Sequence, residues 1–295
     1  MFGQVLLSSG SATQSGGIWQ IKVKTVNLGK NYAAVPVCLY NQPGRTVYVD
    51  WGDGTHSMLV GWVGSEEFKS NSIHTYSDAG EYTISMGCEN WSDVYLWGHN
   101  SSDEVYGLTN TRFILGLTTP EMVNPFPRVK GTVIDGVLTA GSFDNFFYHP
   151  ETGCTFRKLP DNLFENNTET LRTAKGLFYK YMGELPKGLF KGCHNLKSVK
   201  GLTYEGQRPV YCNDMFIGCT SLTNMSSVFY QLYGNETIHI DSRIVEKATA
   251  FFDVGPIHPN LTIEVPKDST TYTSFMNFYN SLKDGIKSDV AITTF

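Results

Sequence analysis

The feature that most constrains the fold of this chain is a 26-residue repeat within residues 159–229. The pattern Leu-Pro-x-x-Leu-Phe at 159–164 returns at 185–190, and the same step carries Cys193 to Cys219. Apolar residues at fixed offsets, with a period in the twenties, indicate units that stack and share one core, because each unit alone has too small an apolar edge. The repeat therefore predicts a solenoid, which is a scaffold that provides a binding surface.

The composition is typical of folded proteins rich in β structure. Of the 295 residues, 41% are hydrophobic and 13% aromatic, and 29 are glycine, which favours strands and turns over helix bundles. The net charge is −5 and no run of Lys or Arg occurs, so we expect no nucleic-acid partner. No apolar run approaches the roughly 18 residues that span a bilayer, so we expect no membrane insertion.

Residues 1–17 are rich in Gly, Ser, Thr and Gln and predict a flexible arm. Residues 18–26 alternate between polar and apolar side chains and predict a strand with one solvated face. The first lysine is Lys22, so the N-terminus lacks the basic region of a secretory signal peptide. We expect a protein that is not exported by that route; the alternative is a signal that has been removed.

The six cysteines are scattered and form no Cys-x-x-Cys pair. Cys193 and Cys219 occupy equivalent repeat positions, where a small buried hydrophobic residue suits a core. The pattern predicts reduced core thiols, with disulfides or a metal site as the alternative.

Two motifs near the N-terminus combine predicted strands with turns. An alternating strand at 47–51 runs into Gly-Asp-Gly at 52–54, and His74-x-Tyr76 precedes a turn and a strand at 81–84. Together these segments resemble the PKD-type immunoglobulin-like domain, whose signature is Trp-Gly-Asp-Gly followed by His-x-Tyr-x-x-x-Gly-x-Tyr-x-Ile/Val. The resemblance implies a compact β-sandwich used as a spacer or adhesion module outside cells or on virions.

Asp50 and Asp53 in the first motif allow two interpretations. Asp-x-Gly-Asp-Gly is similar to the start of a calcium loop, but Gly61 stands where that loop has an acidic residue. We favour carboxylates that form the turn, with calcium binding as the alternative. His74 is predicted to be a packed, hydrogen-bonded strand residue and not a ligand.

The repeats resemble the BspA-like leucine-rich repeat surface proteins, with their recurrent Leu-Pro-x-x-Leu-Phe-x-x-Cys-x-x-Leu units. The resemblance is clear over 143–229, and the segment 261–266 is similar to the closing strand of that family. Apolar residues at helical spacing between 269 and 282 predict a capping helix with Asp268 or Ser269 as N-cap. A PKD-like domain followed by BspA-like repeats is a recurring order in surface proteins of gut Bacteroidetes and their phages.

The repeats depart from the family pattern in three places. Cys212-Asn-Asp-Met215 replaces the Leu-Pro start of the third repeat, Asn167 stands at the Cys position of the first, and Leu171 comes one residue late. With about three good repeats, the predicted solenoid is short and has little concave surface.

The predicted fold class is therefore mainly β, with an N-terminal immunoglobulin-like (PKD-type) β-sandwich, a short leucine-rich-repeat solenoid and a C-terminal capping helix. The predicted domains are a flexible arm (1–17), the sandwich (18–111), the solenoid (112–261), and a strand with a helical cap (262–295).

No catalytic motif stands out in the sequence. It contains no Gly-x-Ser-x-Gly, phosphate loop or His-Glu-x-x-His, and its seven histidines lie far apart. Asp93, Asp103, Glu104 and Asp144 are better explained as solvated loop carboxylates than as a glycosidase pair. We expect a protein that is not an enzyme and that binds no cofactor or metal.

The predicted binding surface consists of Trp91, Tyr95, Trp97, Phe146, Tyr148, His149, Tyr204 and Arg208. The first three form an aromatic cluster that either exposes a sugar-binding face or buries an interdomain joint. The other five belong to two repeat insertions, 143–153 and 201–208, which map to one edge of a solenoid.

Three functions are compatible with these features. The favoured one is a phage virion protein, assembled in the host cytoplasm, that decorates the capsid or belongs to a head fibre or the tail. The alternatives are a bacterial cell-surface adhesin and a carbohydrate-binding module. The expected partners are other virion or surface proteins and a host-surface glycan or protein, bound weakly by each copy and strongly by an array.

Overall fold

The computed structural model shows a mainly β protein, and it describes residues 17–25, 32–35, 37–39, 45–60, 66–97, 117–134, 137–144, 146, 156–178, 181, 184–205, 212–232, 234 and 236–295. The chain divides into two compact units. Unit 1 comprises residues 1–140 and 155–158, and unit 2 comprises residues 141–154 and 159–295.

Unit 1 is built from two open sheets and a separate strand pair. Its strands are β1 (Trp19–Thr25), β2 (Tyr32–Ala34), β3 (Val37–Cys38), β4 (Thr46–Asp50), β5 (His56–Val60), β6 (Ile73–Thr75), β7 (Glu81–Cys88), β8 (Tyr95–Trp97), β9 (Leu117–Met122), β10 (Gly131–Ile134) and β11 (Val137–Ala140), with helix α1 (Glu66–Asn71) before β6. The larger sheet is antiparallel with the order β5-β4-β7-β1-β9. The second sheet has the order β11-β10-β8-β3, and β2 pairs with β6.

The core of unit 1 follows from alternation along its strands. In β1 the side chains of Trp19, Ile21 and Val23 are buried, whereas the residues between them are more exposed. Ile21 lies opposite Ile84 of β7, which is also buried. Because successive side chains point to opposite faces of a strand, one face of the sheet packs on the core and the other meets solvent. The strand predicted for residues 18–26 is confirmed.

Unit 1 extends further along the chain than predicted. β9 pairs with β1, with Met122 opposite Ile21, and β10 pairs with β8 in parallel. Residues 117–140 therefore complete the sheets of unit 1, and the boundary predicted near residue 112 lies too early. A short apolar run predicts a strand but not the strand it pairs with, which is why the sequence misplaced this boundary.

Unit 2 is a stack of short parallel strands with a helical end. Its strands are β12 (Thr173–Lys175), β13 (Ser198–Lys200), β14 (Phe229–Leu232), β15 (Thr237–His239), β16 (Phe252–Pro256), β17 (Leu261–Val265) and β18 (Val290–Thr294), and its helices are α2 (Thr270–Ser281) and α3 (Asp284–Lys287). The described pairs β12–β13, β14–β16, β15–β17 and β17–β18 are all parallel. Parallel bridges continue the ladder from Ser198 to Asn224 and from Asn224 to Lys247. We call each successive turn of this stack a coil. Each coil thus forms backbone hydrogen bonds to the next.

Aromatic rings at the repeat positions fill the centre of this stack. Phe190 is fully buried and stacks on Phe164, with 5.6 Å between ring centroids, and on Phe216, with 6.0 Å. Cys193 and Cys219 are also fully buried, at equivalent positions of neighbouring coils. The residues that the 26-residue step aligns are therefore core residues.

Helix α2 begins where the sequence predicts, because Ser269 caps it. The Ser269 hydroxyl accepts a hydrogen bond from the Tyr272 backbone N–H over 3.0 Å. Phe275 and Phe278 are buried on the inner face of α2. The predicted closing strand at 261–266 is β17, but β18 adds one more strand beyond it.

Candidate functional site

Three of the eight predicted surface residues are buried. The Trp91 ring is fully buried, and its Nε1 donates a hydrogen bond to the Gly17 carbonyl over 2.8 Å. Tyr95 is 8% exposed and Phe146 is 3% exposed. Hydrophobic burial holds these rings in the core of their units, so they cannot offer an aromatic face to a sugar. We therefore remove them from the candidate surface.

For the other five residues, a place on the binding surface stays a prediction. The side chains outside the described residues are those of Trp97, Tyr148, His149 and Arg208. Tyr204 is half-exposed, and its hydroxyl lies over Gly201, since a Cβ on that glycine would be 3.1 Å from Tyr204 Oη.

The carboxylates of the Trp-Gly-Asp-Gly motif form its turn. Asp50 Oδ1 accepts a hydrogen bond from the Gly52 backbone N–H over 2.8 Å. Asp53 Oδ1 accepts bonds from the Thr55 backbone N–H and hydroxyl over 3.0 and 2.6 Å. Partial burial by itself raises the pKa of Asp53, but these bonds and its contact with His74 outweigh burial and leave the pKa lowered. The prediction of turn-forming carboxylates is confirmed.

His74 joins the two motifs of unit 1 without forming a catalytic triad. Its Nε2 lies 2.6 Å from Asp53 Oδ2, and its ring stacks on Trp51 with 5.0 Å between centroids. The Thr55 hydroxyl lies 3.5 Å from the same Nε2. In a triad the carboxylate and the nucleophile bind opposite ring nitrogens, whereas here both approach one nitrogen. The predicted role of His74 as a packed, hydrogen-bonded strand residue is confirmed.

The described thiols are structural. Cys88, Cys193, Cys212 and Cys219 are free and buried, as predicted for core cysteines. Burial raises the pKa of each thiol, to about 12 for Cys193, which keeps them protonated at neutral pH. Within the part of the chain that the structure describes, no group of three or more His, Cys, Asp or Glu side chains is placed to hold a metal ion.

Unit 1 carries an open depression of about 320 Å³ on its larger sheet. Side chains of both charges line it, among them Lys22, Lys24, Glu81, Glu121 and Arg157. Lys24 Nζ lies 3.2 Å from Glu81 Oε1, so part of this charge is already paired. Exposed and compensated charges attract a ligand only weakly, so we place the candidate site elsewhere.

A positive patch lies on β12 and β13 of unit 2. Lys175 and Lys200 are the last residues of these parallel strands and are register partners. Arg172 and Lys197 stand one residue before the strands, and the Lys197 backbone N–H donates to the Arg172 carbonyl over 2.8 Å. We call these four residues the cationic block.

The side chains of the cationic block are exposed. None of its four side chains forms an ion pair with a described residue. Neighbouring strands lie about 4.8 Å apart, so like charges that face each other across the pair reduce stability. Asp144, on the preceding coil, uses its Oδ1 to accept the Lys175 backbone N–H over 2.8 Å. In a chain with a net charge of −5, folding alone does not account for four adjacent cations.

Neutral hydrogen-bonding groups lie beside the cationic block. Thr173 and Ser198 are register partners two residues before the lysines, and both are half-exposed. Neither hydroxyl is hydrogen-bonded to another residue of the described segments. Asn224, bridged to Ser198, continues the row, and the half-exposed Tyr204 lies at the opposite end of the strands.

The sequence alone did not reveal the cationic block because its register differs from the repeat. A 26-residue step places Lys175 opposite Gly201, whereas the structure pairs it with Lys200. The late position of Leu171, which is buried like Leu196 of the next coil, accounts for this shift. The late position of Leu171 was the feature of the sequence that could have predicted this pairing.

A second polar cluster links three successive segments of unit 2. His239 Nδ1 lies 2.9 Å from Glu264 Oε2, and its Nε2 lies 2.7 Å from Asp241 Oδ1. Asp241 Oδ2 also accepts the Gly218 backbone N–H over 2.6 Å, and the Phe295 ring stacks on the imidazole at 4.3 Å. Partial burial by itself lowers the pKa of His239, but the bonds to both carboxylates outweigh burial and raise it. With both ring nitrogens engaged, His239 serves as a structural imidazolium.

His239→Gln is expected to destabilise unit 2 at low pH by about 1 kcal/mol, the upper range for a partly exposed ion pair. Because folding raises the pKa of His239, the contribution of its charge is complete below the unfolded-state pKa and is lost as the pH rises through the folded-state pKa. The difference between the two proteins should therefore shrink as the pH rises from about 6, below the unfolded-state pKa, through the raised folded-state pKa of His239. Urea unfolding at each pH, followed by circular dichroism, measures it.

His258→Gln is the matched control, because it removes an exposed histidine from outside the cluster. A destabilisation by His239→Gln that stays constant across this pH range would contradict the charged assignment.

A comparison of this chain with protein-family models, with curated proteins and with solved structures finds no match. In the described segments, no helix combines the length and the apolar character needed to cross a bilayer.

Proposed function

We propose that this chain is a non-enzymatic structural and adhesive protein of a phage virion, in which unit 2 presents the binding surface. The protein would decorate the capsid or belong to a head fibre or the tail. The observation that carries the proposal is the cationic block: four exposed cations in two facing pairs on neighbouring strands, none of which forms an ion pair with a described residue. Repulsion within the block reduces stability, and a binding role for the face explains why it is kept.

The stacked coils make this face suitable for recognition. The strands under the cationic block are anchored by Ala174 and Val199, which are fully buried. Each coil is hydrogen-bonded to the next, and such a preformed surface loses little conformational entropy on binding. A face of this kind supports adhesion without any conformational change in the protein.

We infer the finer fold of each unit from the same contacts. A PKD-type immunoglobulin-like sandwich for unit 1 is supported by its two motifs, because the Tyr76 hydroxyl donates to the Trp51 carbonyl over 2.9 Å and His74 stacks on Trp51. A leucine-rich-repeat solenoid for unit 2 is supported by parallel pairing one coil apart and by the buried Phe stack.

A non-enzymatic role is supported by the chemistry of the polar clusters. The Asp53–His74 pair and the Thr55 hydroxyl share one ring nitrogen, and His239 has both ring nitrogens bound to carboxylates. Neither arrangement provides a free base next to a nucleophile.

A bacterial cell-surface adhesin is the second candidate, because the same cationic face would serve it. The carbohydrate-binding module was predicted from the aromatic cluster of Trp91, Tyr95 and Trp97. Trp91 and Tyr95 are buried, so this alternative is less well supported. A virion protein is found on phage particles, whereas an adhesin is found on the bacterial surface. The location of the protein therefore distinguishes the two candidates.

Mass spectrometry of particles purified by density gradient tests the proposal. We expect peptides from both units to co-sediment with capsids at a constant ratio to the major capsid protein. A host cytoplasmic protein, measured in the same fractions, controls for carry-over. Recovery in the outer-membrane fraction, with none in the particles, would replace the virion proposal with the adhesin.

A further inference from the structure

We propose that the cationic block binds an acidic polysaccharide, whose anionic groups contact the four cations and whose hydroxyls meet Thr173 and Ser198. This inference depends on the proposed binding function and adds the chemical class of the ligand.

The charge of the block selects a ligand with several closely spaced anions. Lys175 and Lys200 face each other across one strand pair, and Arg172 and Lys197 are adjacent in the same way. A single small anion would neutralise one cation and leave the repulsion between the others. A polymer with an anionic group on successive sugars neutralises both pairs, and Lys and Arg donate charge-assisted hydrogen bonds to carboxylate and sulfate alike.

The groups between the cations select for hydroxyls. Along β12 and β13 the Thr173 and Ser198 hydroxyls, which can donate and accept, stand between the two cation pairs. The Asn224 amide continues their row on the next coil, where its Oδ1 accepts the Ser226 backbone N–H over 3.0 Å and its NH2 group can donate. Sugar hydroxyls also donate and accept, so they can replace the water at this row without leaving a polar group unsatisfied.

The length of the block argues against nucleic acid. Backbone hydrogen bonds continue the row of Arg172 and Lys197 onto the next two coils. The Thr223 N–H donates to the Lys197 carbonyl, and the Glu246 N–H donates to the Thr223 carbonyl. The third coil therefore contributes no cation, and on the fourth the exposed Lys247, bridged to Asn224, stands next to Glu246, so the positive track is interrupted after two coils. Single-stranded nucleic acid also requires aromatic platforms for its bases, and neither residues 172–175 nor residues 197–200, which carry the block, include an aromatic side chain.

Binding of polymers to the full-length chain tests this inference. The probes are polygalacturonate, which carries carboxylates, dextran sulfate, neutral dextran and a single-stranded oligothymidylate, measured by biolayer interferometry at about 50 and about 300 mM salt. We expect at least one acidic polysaccharide to bind, neutral dextran not to bind, and the oligonucleotide to bind more weakly. Whichever acidic polysaccharide binds more tightly identifies the preferred anion as carboxylate or sulfate.

The variant Lys175→Gln/Lys200→Gln should weaken acidic polysaccharide binding about tenfold and reduce the dependence of affinity on salt. The control Lys267→Gln/Lys283→Gln makes the same change in charge at two exposed lysines outside the block, and it should change affinity less than about twofold. Removing the facing lysines should leave the melting temperature unchanged or slightly raised, since repulsion is relieved. If that variant unfolds, Arg172→Gln/Lys197→Gln provides the same comparison.

Three results would overturn the inference: no binding of either acidic polysaccharide, tighter binding of the oligonucleotide, or equal losses in the block variant and its control. The proposed function is tested separately. If the protein is found on virions and neither polysaccharide binds, the ligand class is wrong while the virion role stands.

Discussion

Replacing Phe190 by alanine is expected to lower the free energy of unfolding of unit 2 by about 3–5 kcal/mol, the usual loss when a buried phenylalanine site is emptied. The ring is fully buried between Phe164 and Phe216, at 5.6 and 6.0 Å. A cavity at this position removes contacts to both neighbouring coils, and the stability of a stack depends on contacts between neighbours. Urea unfolding followed by far-UV circular dichroism measures the loss.

Phe190→Leu is the control, because it keeps the site apolar and fills part of it, so a smaller loss is expected. Thiol reactivity gives a second measurement, since Cys193 and Cys219 are fully buried in the same stack. These thiols should react slowly in the native protein and faster in Phe190→Ala. A loss below about 1 kcal/mol with unchanged thiol reactivity would show that the ring stack does not hold the coils together.

Gly52→Ala is expected to destabilise unit 1 by about 3 kcal/mol, through two effects that add. Gly52 has φ of +83°, and a left-handed conformation costs other residues about 1–2 kcal/mol. A Cβ at this position would also lie 2.7 Å from the Thr83 carbonyl oxygen and 2.8 Å from the Thr83 nitrogen. Overpacking of this kind costs a further 1–3 kcal/mol, roughly, because backbone must move to make room.

Gly54→Ala separates the two effects within one turn. Gly54 has φ of +88° but no atom within 4 Å of its Cβ position, so the variant should lose only about 1 kcal/mol. The five tryptophans all precede residue 98 and belong to unit 1, so tryptophan fluorescence during urea unfolding follows this unit. Equal losses in the two variants would mean that the turn does not pack closely against Thr83.

The apolar core and the cationic block place opposite demands on unit 2. The block brings like charges together, which lowers stability, and the buried residues beneath it offset that loss. This division is consistent with a surface kept for binding on a scaffold that is stable for other reasons. It also explains why the block variants are expected to fold normally while losing affinity.

Local patterns in the sequence were sufficient for many features of the two units. The 26-residue step placed Phe190, Phe216, Cys193 and Cys219 at buried positions, because every coil must bury the same edge. The turn formed by Asp53 and the N-cap at Ser269 depend on residues within a few positions along the chain. Such features are set by bonds between near neighbours, so they can be predicted without knowing the fold.

What the sequence by itself determined is therefore the repeat, its core positions and the mainly β class. The tertiary structure alone decided which strands pair, and with them the assignment of residues 117–140 to unit 1 and the burial of Trp91. It also decided that Lys175 faces Lys200, through a one-residue shift at Leu171. The physical reason is that pairing and burial depend on long-range packing, and a shift of one residue changes which side chains meet on a sheet.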